Sequence, residues 1–264
     1  NIELTALISA NYELESTPIS LFNENQLIAK TAVTFNQNKT AKVNFTLQKN
    51  EAIKGKLEVL DAALSYDNQL YFNIDSKEKI KVLVIGETQS DYLKRIFTED
   101  EFEIKVFPIN NLNYGDLNDQ NLIVLNELKN IPNPLAISLK SFIGNNGNVI
   151  IIPAQEIDLT SYNQFVSNYY GTTFNESVKS DRNISSINFS HPLYRNVFEK
   201  NVINFQYPKV SQYFRTKTNA PNILSYQDGN PFILGTDKVY VFTASIATEN
   251  SNFKNSPLIV PTFY

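Results

Sequence analysis

At 264 residues, with 42% hydrophobic and 19% charged residues, the chain can form one large or two ordinary domains, and this balance excludes general disorder. Twenty-three basic against 27 acidic residues give a net charge of -4, and no basic cluster is longer than Lys94-Arg95, so the electrostatic footprint of nucleic-acid binding is missing. The lack of Cys removes disulfides, thiolate metal sites and sulfur nucleophiles together.

From Asn1 to Glu78 the pattern is one of short alternating segments. Ile2, Leu4, Ala6 and Ile8 alternate, as do Val43, Phe45 and Leu47. Ile19 and Leu21 lead through Asn23-Glu24-Asn25 into Leu27-Ile28-Ala29, and Ile53 to Leu60 and Leu70 to Ile74 add two further segments. Roughly six or seven half-buried strands with turn residues between them predict a small immunoglobulin-like β-sandwich over residues 1–78.

The pattern changes at Lys77-Glu78-Lys79, and Ile80 to Ile85 is a nearly continuous apolar run of the kind found in strands buried on both faces. Thereafter a helix is expected from Asp91 to Phe97, strands at Glu103 to Phe107 and Asn121 to Leu125, a helix at Pro134 to Ile143 and a strand at Asn148 to Pro153. This alternation predicts an α/β domain over residues 79–264 with a mainly parallel sheet. A helix from Leu159 to Tyr169, a polar stretch and a short helix near His191 to Phe198 follow. The last strands, near Ile203, Ile223, Phe232 and Val239 to Thr243, are spaced too closely for crossover helices and predict an antiparallel extension.

Open α/β sheets bind ligands beyond the carboxyl ends of their strands, which makes Gly86, Glu87, Glu127 and Gln155 the ligand-binding candidates. The loop Gly86-Glu-Thr-Gln-Ser-Asp91 has one Gly, too few for the dinucleotide fingerprint, and Ser90 or Asp91 reads as an N-cap. Gly144-Asn-Asn-Gly147 follows a helix rather than preceding one, so it reads as a C-cap and not a phosphate loop. The single His, His191, lies in Ser190-His-Pro-Leu193, where Ser190 can cap and Pro192 fits the first turn. Acidic residues are spread without ligand spacing, so no metal site is expected. Tyr162, Phe165, Tyr169 and Tyr170 have helical spacing; they read as core or interface packing and are the first candidates for an interaction surface.

Several stretches resemble the periplasmic region of bacterial Bat-type aerotolerance-related proteins, the group with an N-terminal double-transmembrane domain. They are Asp61-x-x-Leu64-x-x-Asp67-Asn68-x-x-Tyr71-Phe72, Ile80 to Ile85, Phe142-x-x-x-x-Gly147-x-Val-Ile-Ile-Ile-Pro153, His191-Pro-Leu193, Asn230-Pro-Phe232 and Ser251-Asn-Phe253-x-x-x-Pro257-Leu-x-Val-Pro261. The resemblance implies a periplasmic setting at the inner membrane, anchoring by helices outside this segment, an adhesion-type sandwich and a flavodoxin-type α/β domain similar to class I glutamine amidotransferases. In those enzymes a Cys elbow follows the strand that corresponds to Asn148 to Pro153; here that place reads Pro153-Ala154-Gln155 and offers no Cys, Ser or Thr. No catalytic residue and no cofactor are therefore expected.

The chain opens mid-pattern at Asn1-Ile2-Glu3-Leu4 and stops within the apolar, aromatic segment Pro257 to Tyr264. That segment suits either a last strand on the sheet or a lead into the bilayer, with Phe263 and Tyr264 at the membrane interface. The leading expectation is a non-catalytic module that assembles with other envelope proteins. A binding module for a sugar or peptide at the strand ends is the alternative, and an unrecognised hydrolase is the third reading.

Overall fold

The computed structural model describes residues 2–11, 16–48, 52–60, 68–75, 78–86, 90–195, 197–198 and 207–264. The chain forms two compact units, Asn1–Glu78 and Lys79–Tyr264.

The described residues of the first unit form six strands: β1 (Ile2–Ser9), β2 (Thr17–Asn23), β3 (Gln26–Val33), β4 (Thr40–Leu47), β5 (Ile53–Val59) and β6 (Gln69–Ile74). β1 and β4 pair antiparallel, and the other four form an antiparallel sheet in the order β3-β2-β5-β6. The period of two in the sequence decides which side chains turn inward. Ile19 and Leu21, Phe45 and Leu47, and Ile53 and Leu57 fill one core between the two sheets. Gly55 sits opposite Phe72, whose ring covers it so closely that a Cβ there would lie 2.1 Å from Phe72 Cζ.

The described residues of the second unit build a nine-stranded mixed sheet. β7 (Ile80–Ile85), β8 (Phe102–Phe107), β9 (Leu122–Leu128), β10 (Asn148–Pro153) and β15 (Val239–Phe242) run parallel. β11 (Thr173–Ile187), β12 (Lys209–Lys217), β13 (Asn222–Tyr226) and β14 (Pro231–Thr236) extend the sheet antiparallel from β15, and the order is β12-β11-β13-β14-β15-β10-β9-β7-β8. The expectation of a mainly parallel sheet is thus corrected: parallel and antiparallel pairings share it equally, and β15 belongs to the parallel half. The polar stretch after residue 172 is the long strand β11, whose polar side chains are largely exposed and whose ladder with β12 is broken by two register shifts. The strand expected near Ile203 falls outside the described residues.

Helices α1 (Asp91–Ile96) and α4 (Ile259–Phe263) cover one face of the sheet, where they meet Val82, Val84, Val124, Ile150 and Ile152. Helices α2 (Asn133–Gly144) and α3 (Leu159–Val166) cover the other, against Leu83, Ile85, Ile123, Val149 and Ile151. Burial on both faces is why these strands read as continuous apolar runs. Helix α2 ends in the expected cap: Asn146 takes φ +71° and Gly147 N–H donates to the Phe142 carbonyl at 2.9 Å. The chain end forms α4 rather than a strand. Pro261 falls in its first turn, where a missing N–H costs nothing; Phe263 is buried against the sheet and Tyr264 is exposed.

Candidate functional site

The carboxyl ends of β9 and β10, together with the loop after β15, bound a cleft of about 710 Å³. Among its described walls are Glu127 to Asn130 from the end of β9, Ala154 to Asp158 after β10, and Ser245, Ala247 and Glu249 after β15.

Glu127 is the distinctive residue. In the β9–β10 ladder Ile152 pairs with Asn126 and Pro153 with Leu128, so Glu127 is an extra residue in a bulge. Pro153 brings no N–H to the ladder, which is a local reason for the register to break there. The Glu127 backbone is left-handed at φ +59°, a conformation that costs a residue with a Cβ about 1 kcal/mol. Such strain is held in place by surrounding structure and concentrates at functional sites.

That surrounding structure is visible on both sides. The Tyr92 hydroxyl, from α1 on one face of the sheet, donates to Asn126 Oδ1 at 2.8 Å, and the Tyr162 hydroxyl, from α3 on the other, donates to the Leu128 carbonyl at 2.6 Å. Burial first, and the charge of Glu127 second, hold both phenols well above the ordinary tyrosine range, so both remain protonated donors at neutral pH.

The Glu127 side chain is 6% exposed, and its Oε1 accepts a hydrogen bond from Ser245 Oγ at 2.8 Å. Ser245 is itself oriented, because its Oγ accepts from Ala247 N–H at 3.1 Å and its carbonyl from Asn250 Nδ2 at 2.8 Å. Asn250 Nδ2 also reaches the Gln212 carbonyl, and Gln212 Nε2 donates to the Gln155 carbonyl at 2.8 Å. The two loops of the cleft are therefore tied together through β12.

Glu127 and Gln155 lie in the cleft as the sequence suggested. Gly86 does not line its described walls. It permits β7 to approach β9, since a Cβ there would stand 2.3 Å from the Asn126 carbonyl oxygen. Glu87 lies outside the described residues. Tyr162 and Phe165 are wholly buried because the apolar side of α3 faces the sheet, which removes them as an exposed surface. Tyr169 and Tyr170 are half-buried, and the Tyr170 hydroxyl donates to the Thr236 carbonyl at 2.5 Å. Ser245 and Asn250 were not singled out by the sequence; nothing local marks them.

His191 is a structural residue. Its Nδ1 accepts from Leu193 N–H at 3.1 Å, which leaves Nε2 to carry the proton toward the Gly235 carbonyl at 2.9 Å. The imidazole, not Ser190, caps the turn at Pro192–Tyr194. Ser90 occupies the N-cap position of α1 without a side-chain cap bond. Among the described residues no group of His, Asp or Glu could hold a metal ion, and no helix is long and apolar enough to cross a membrane.

No protein-family model and no curated protein matches the sequence. Among solved structures, the chain is similar to a putative ThuA-like protein from Bacteroides uniformis, at 13% identity over 73% of this chain and 93% of that one, with a TM-score of 0.53. At that identity the likeness shows a shared fold. Lower scores relate it to a β-galactosidase from a psychrophilic Marinomonas (14% identity, 62% of this chain, TM-score 0.43) and to a glutamine amidotransferase from Thermotoga maritima (11% identity, 64% of this chain and 77% of that one, TM-score 0.45). The chain spans only 26% of that β-galactosidase. What these comparisons show is an α/β fold that this chain shares with a ThuA-like protein.

Proposed function

We propose that this chain is a non-catalytic binding module that takes a small ligand in the cleft at Glu127. The observation that carries this reading is the cleft itself: a concave site at the carboxyl ends of parallel strands, with a strained and mostly buried carboxylate in its wall. An assembly role would call for an exposed aromatic surface, and two of the four aromatics that suggested one are core residues.

Hydrolysis by the amidotransferase route needs a nucleophile, an aligned base and oxyanion donors together. Ala154 supplies no nucleophile, and the one imidazole is engaged as a cap. The order of the parallel strands, second-first-third-fourth with β15 beyond, supports a flavodoxin-type frame. Lettered from B, the described strands of the first unit give B–E and C′–C–F–G sheets, which supports an immunoglobulin-like sandwich. The stretches that resemble aerotolerance-related proteins are what supports a periplasmic, membrane-anchored setting in a bacterial envelope.

The test is a titration of the isotope-labelled chain with a panel of small sugars, amines and carboxylates, followed by NMR. At least one compound will move the backbone amides of Gln155 and Ala247. A panel that leaves both amides in place, or turnover of glutamine that survives purification, would overturn the reading.

A further inference from the structure

Granting that the cleft takes a small ligand, the structure also indicates its chemistry. We infer that the ligand presents a primary ammonium on an aliphatic stem, and that Glu127 is the residue that receives it.

The first argument is what Glu127 lacks. Its side chain makes one hydrogen bond among the described residues, from the neutral hydroxyl of Ser245 to Oε1. No described Lys or Arg comes within ion-pair distance of it. Oε2 has no donor among the described residues, yet it is not a sealed, unsatisfied atom, so it keeps accessible surface where Glu127 lines the cleft. A carboxylate taken this far out of water is poorly compensated by a single neutral donor, and a charged donor is the partner that completes it. Because the Ser245 proton is already committed to Oε1, the pair offers acceptors to a ligand and no donor.

The second argument is the charge of the walls. Glu127, Glu156, Asp158 and Glu249 stand against Lys129 alone, four carboxylates to one ammonium among the described lining residues. That sign excludes phosphates and carboxylates and draws in cations. The third is the apolar remainder: Ile109, Leu128, Ala154, Ile157 and Ala247 offer no polar side-chain group, and they suit a methylene stem better than a hydroxylated ring. A positioned anion deep in the wall and an aliphatic path to it together describe a lysine-like or diamine head.

Three probes with the same five-carbon stem separate the possibilities: 1,5-diaminopentane, 1,5-pentanediol and glutarate, each titrated calorimetrically into the full chain. The diamine is expected to bind at least ~10-fold more tightly than the diol, the discrimination of one charge-assisted hydrogen bond, and glutarate not to bind. In Glu127→Gln, which keeps an acceptor for Ser245, the diamine should weaken by about the same factor while the thermal midpoint stays close to wild type. Equal binding of diol and diamine, preferred binding of glutarate, or an unchanged diamine affinity in E127Q would overturn the ammonium assignment and leave a small-ligand site standing. If none of the three binds, the inference fails, and the site itself is then judged by the wider panel. Should E127Q fail to fold, the comparison of the three probes on the wild-type chain decides alone.

Discussion

Ser245 and Glu127, 118 positions apart in the chain, meet in a buried hydrogen bond of 2.8 Å that closes the loop after β15 onto the bulge of β9. The same hydroxyl receives Ala247 N–H at 3.1 Å, so one atom satisfies two buried groups. Ser245→Ala removes this partner from both. It is expected to cost about 1–3 kcal/mol in equilibrium urea unfolding, the penalty for orphaning buried polar atoms. An unchanged midpoint would mean that water replaces the hydroxyl without loss.

Gly86 and Gly144 make opposite predictions from one substitution. A Cβ on Gly86 would meet the Asn126 carbonyl oxygen at 2.3 Å, a backbone atom that cannot give way without moving the Glu127 bulge. Gly86→Ala should therefore destabilise by about 1–3 kcal/mol, as overpacking does, and should weaken any ligand of the cleft as well. Gly144 closes α2 with open space where its Cβ would go, so Gly144→Ala should stabilise by roughly 0.5–1 kcal/mol. Thermal unfolding of the two variants side by side checks both signs.

Four buried phenols, Tyr92, Tyr162, Tyr194 and Tyr226, are held above their ordinary range of about 10, chiefly by burial. The folded pKa exceeds the unfolded one, so their full contribution to stability is present below pH 10. Above pH 10 the unfolded chain releases these protons and the folded chain keeps them, and stability falls with rising pH by about 1.4 kcal/mol per unit for each phenol. The phenolate absorbance of these four should therefore rise together with the loss of circular dichroism. Tyr162→Phe should flatten the alkaline limb while costing about 1 kcal/mol at neutral pH through the lost bond to the Leu128 carbonyl. Ionisation of every tyrosine near pH 10 with the fold intact would refute this.

The strands that a sequence reader can find are those whose burial is simple. β10, Asn148–Pro153, is an apolar run between a glycine and a proline, and the structure begins and ends it where those signals do. β11 is unreadable by the same rule: burial alternates from Ser177 to Ile184, but Ser180 and Arg182 occupy inward positions, so the apolar signal does not alternate with it. The chain end, Ile259–Phe263, shows the ambiguity of short apolar runs, which suit a helix as well as a strand. Of the site, the strand-end position of Glu127 was visible, since ligand sites follow from sheet topology. Its left-handed backbone sits at the register break beside Pro153 on the neighbouring strand, and its hydrogen-bond donor comes from the far end of the domain. Neither is a local property of residues 126–128.

The last prediction concerns what the chain end does for the second unit. Phe263 stacks on Phe242 at 5.8 Å and meets Tyr92 edge-on at 6.0 Å, while Thr262 shares a hydrogen bond of 2.9 Å with the Tyr194 hydroxyl. Helix α4 therefore closes the same face of the sheet that α1 covers, and α1 carries the tyrosine that braces Asn126 beside Glu127. Phe263→Ala should cost about 3–5 kcal/mol, a large share of the 5–15 kcal/mol by which ordinary domains are stable. It should also reach the cleft, because a loosened Tyr92 no longer fixes the residue before the bulge. A fragment running from Lys79 to Tyr264 is expected to unfold in one cooperative thermal transition. The same fragment ending at Ser256 should lose that cooperativity and bind an apolar dye. If the shorter fragment melts as sharply and as high as the longer one, α4 contributes nothing to the core, and its aromatic residues are then free for another role.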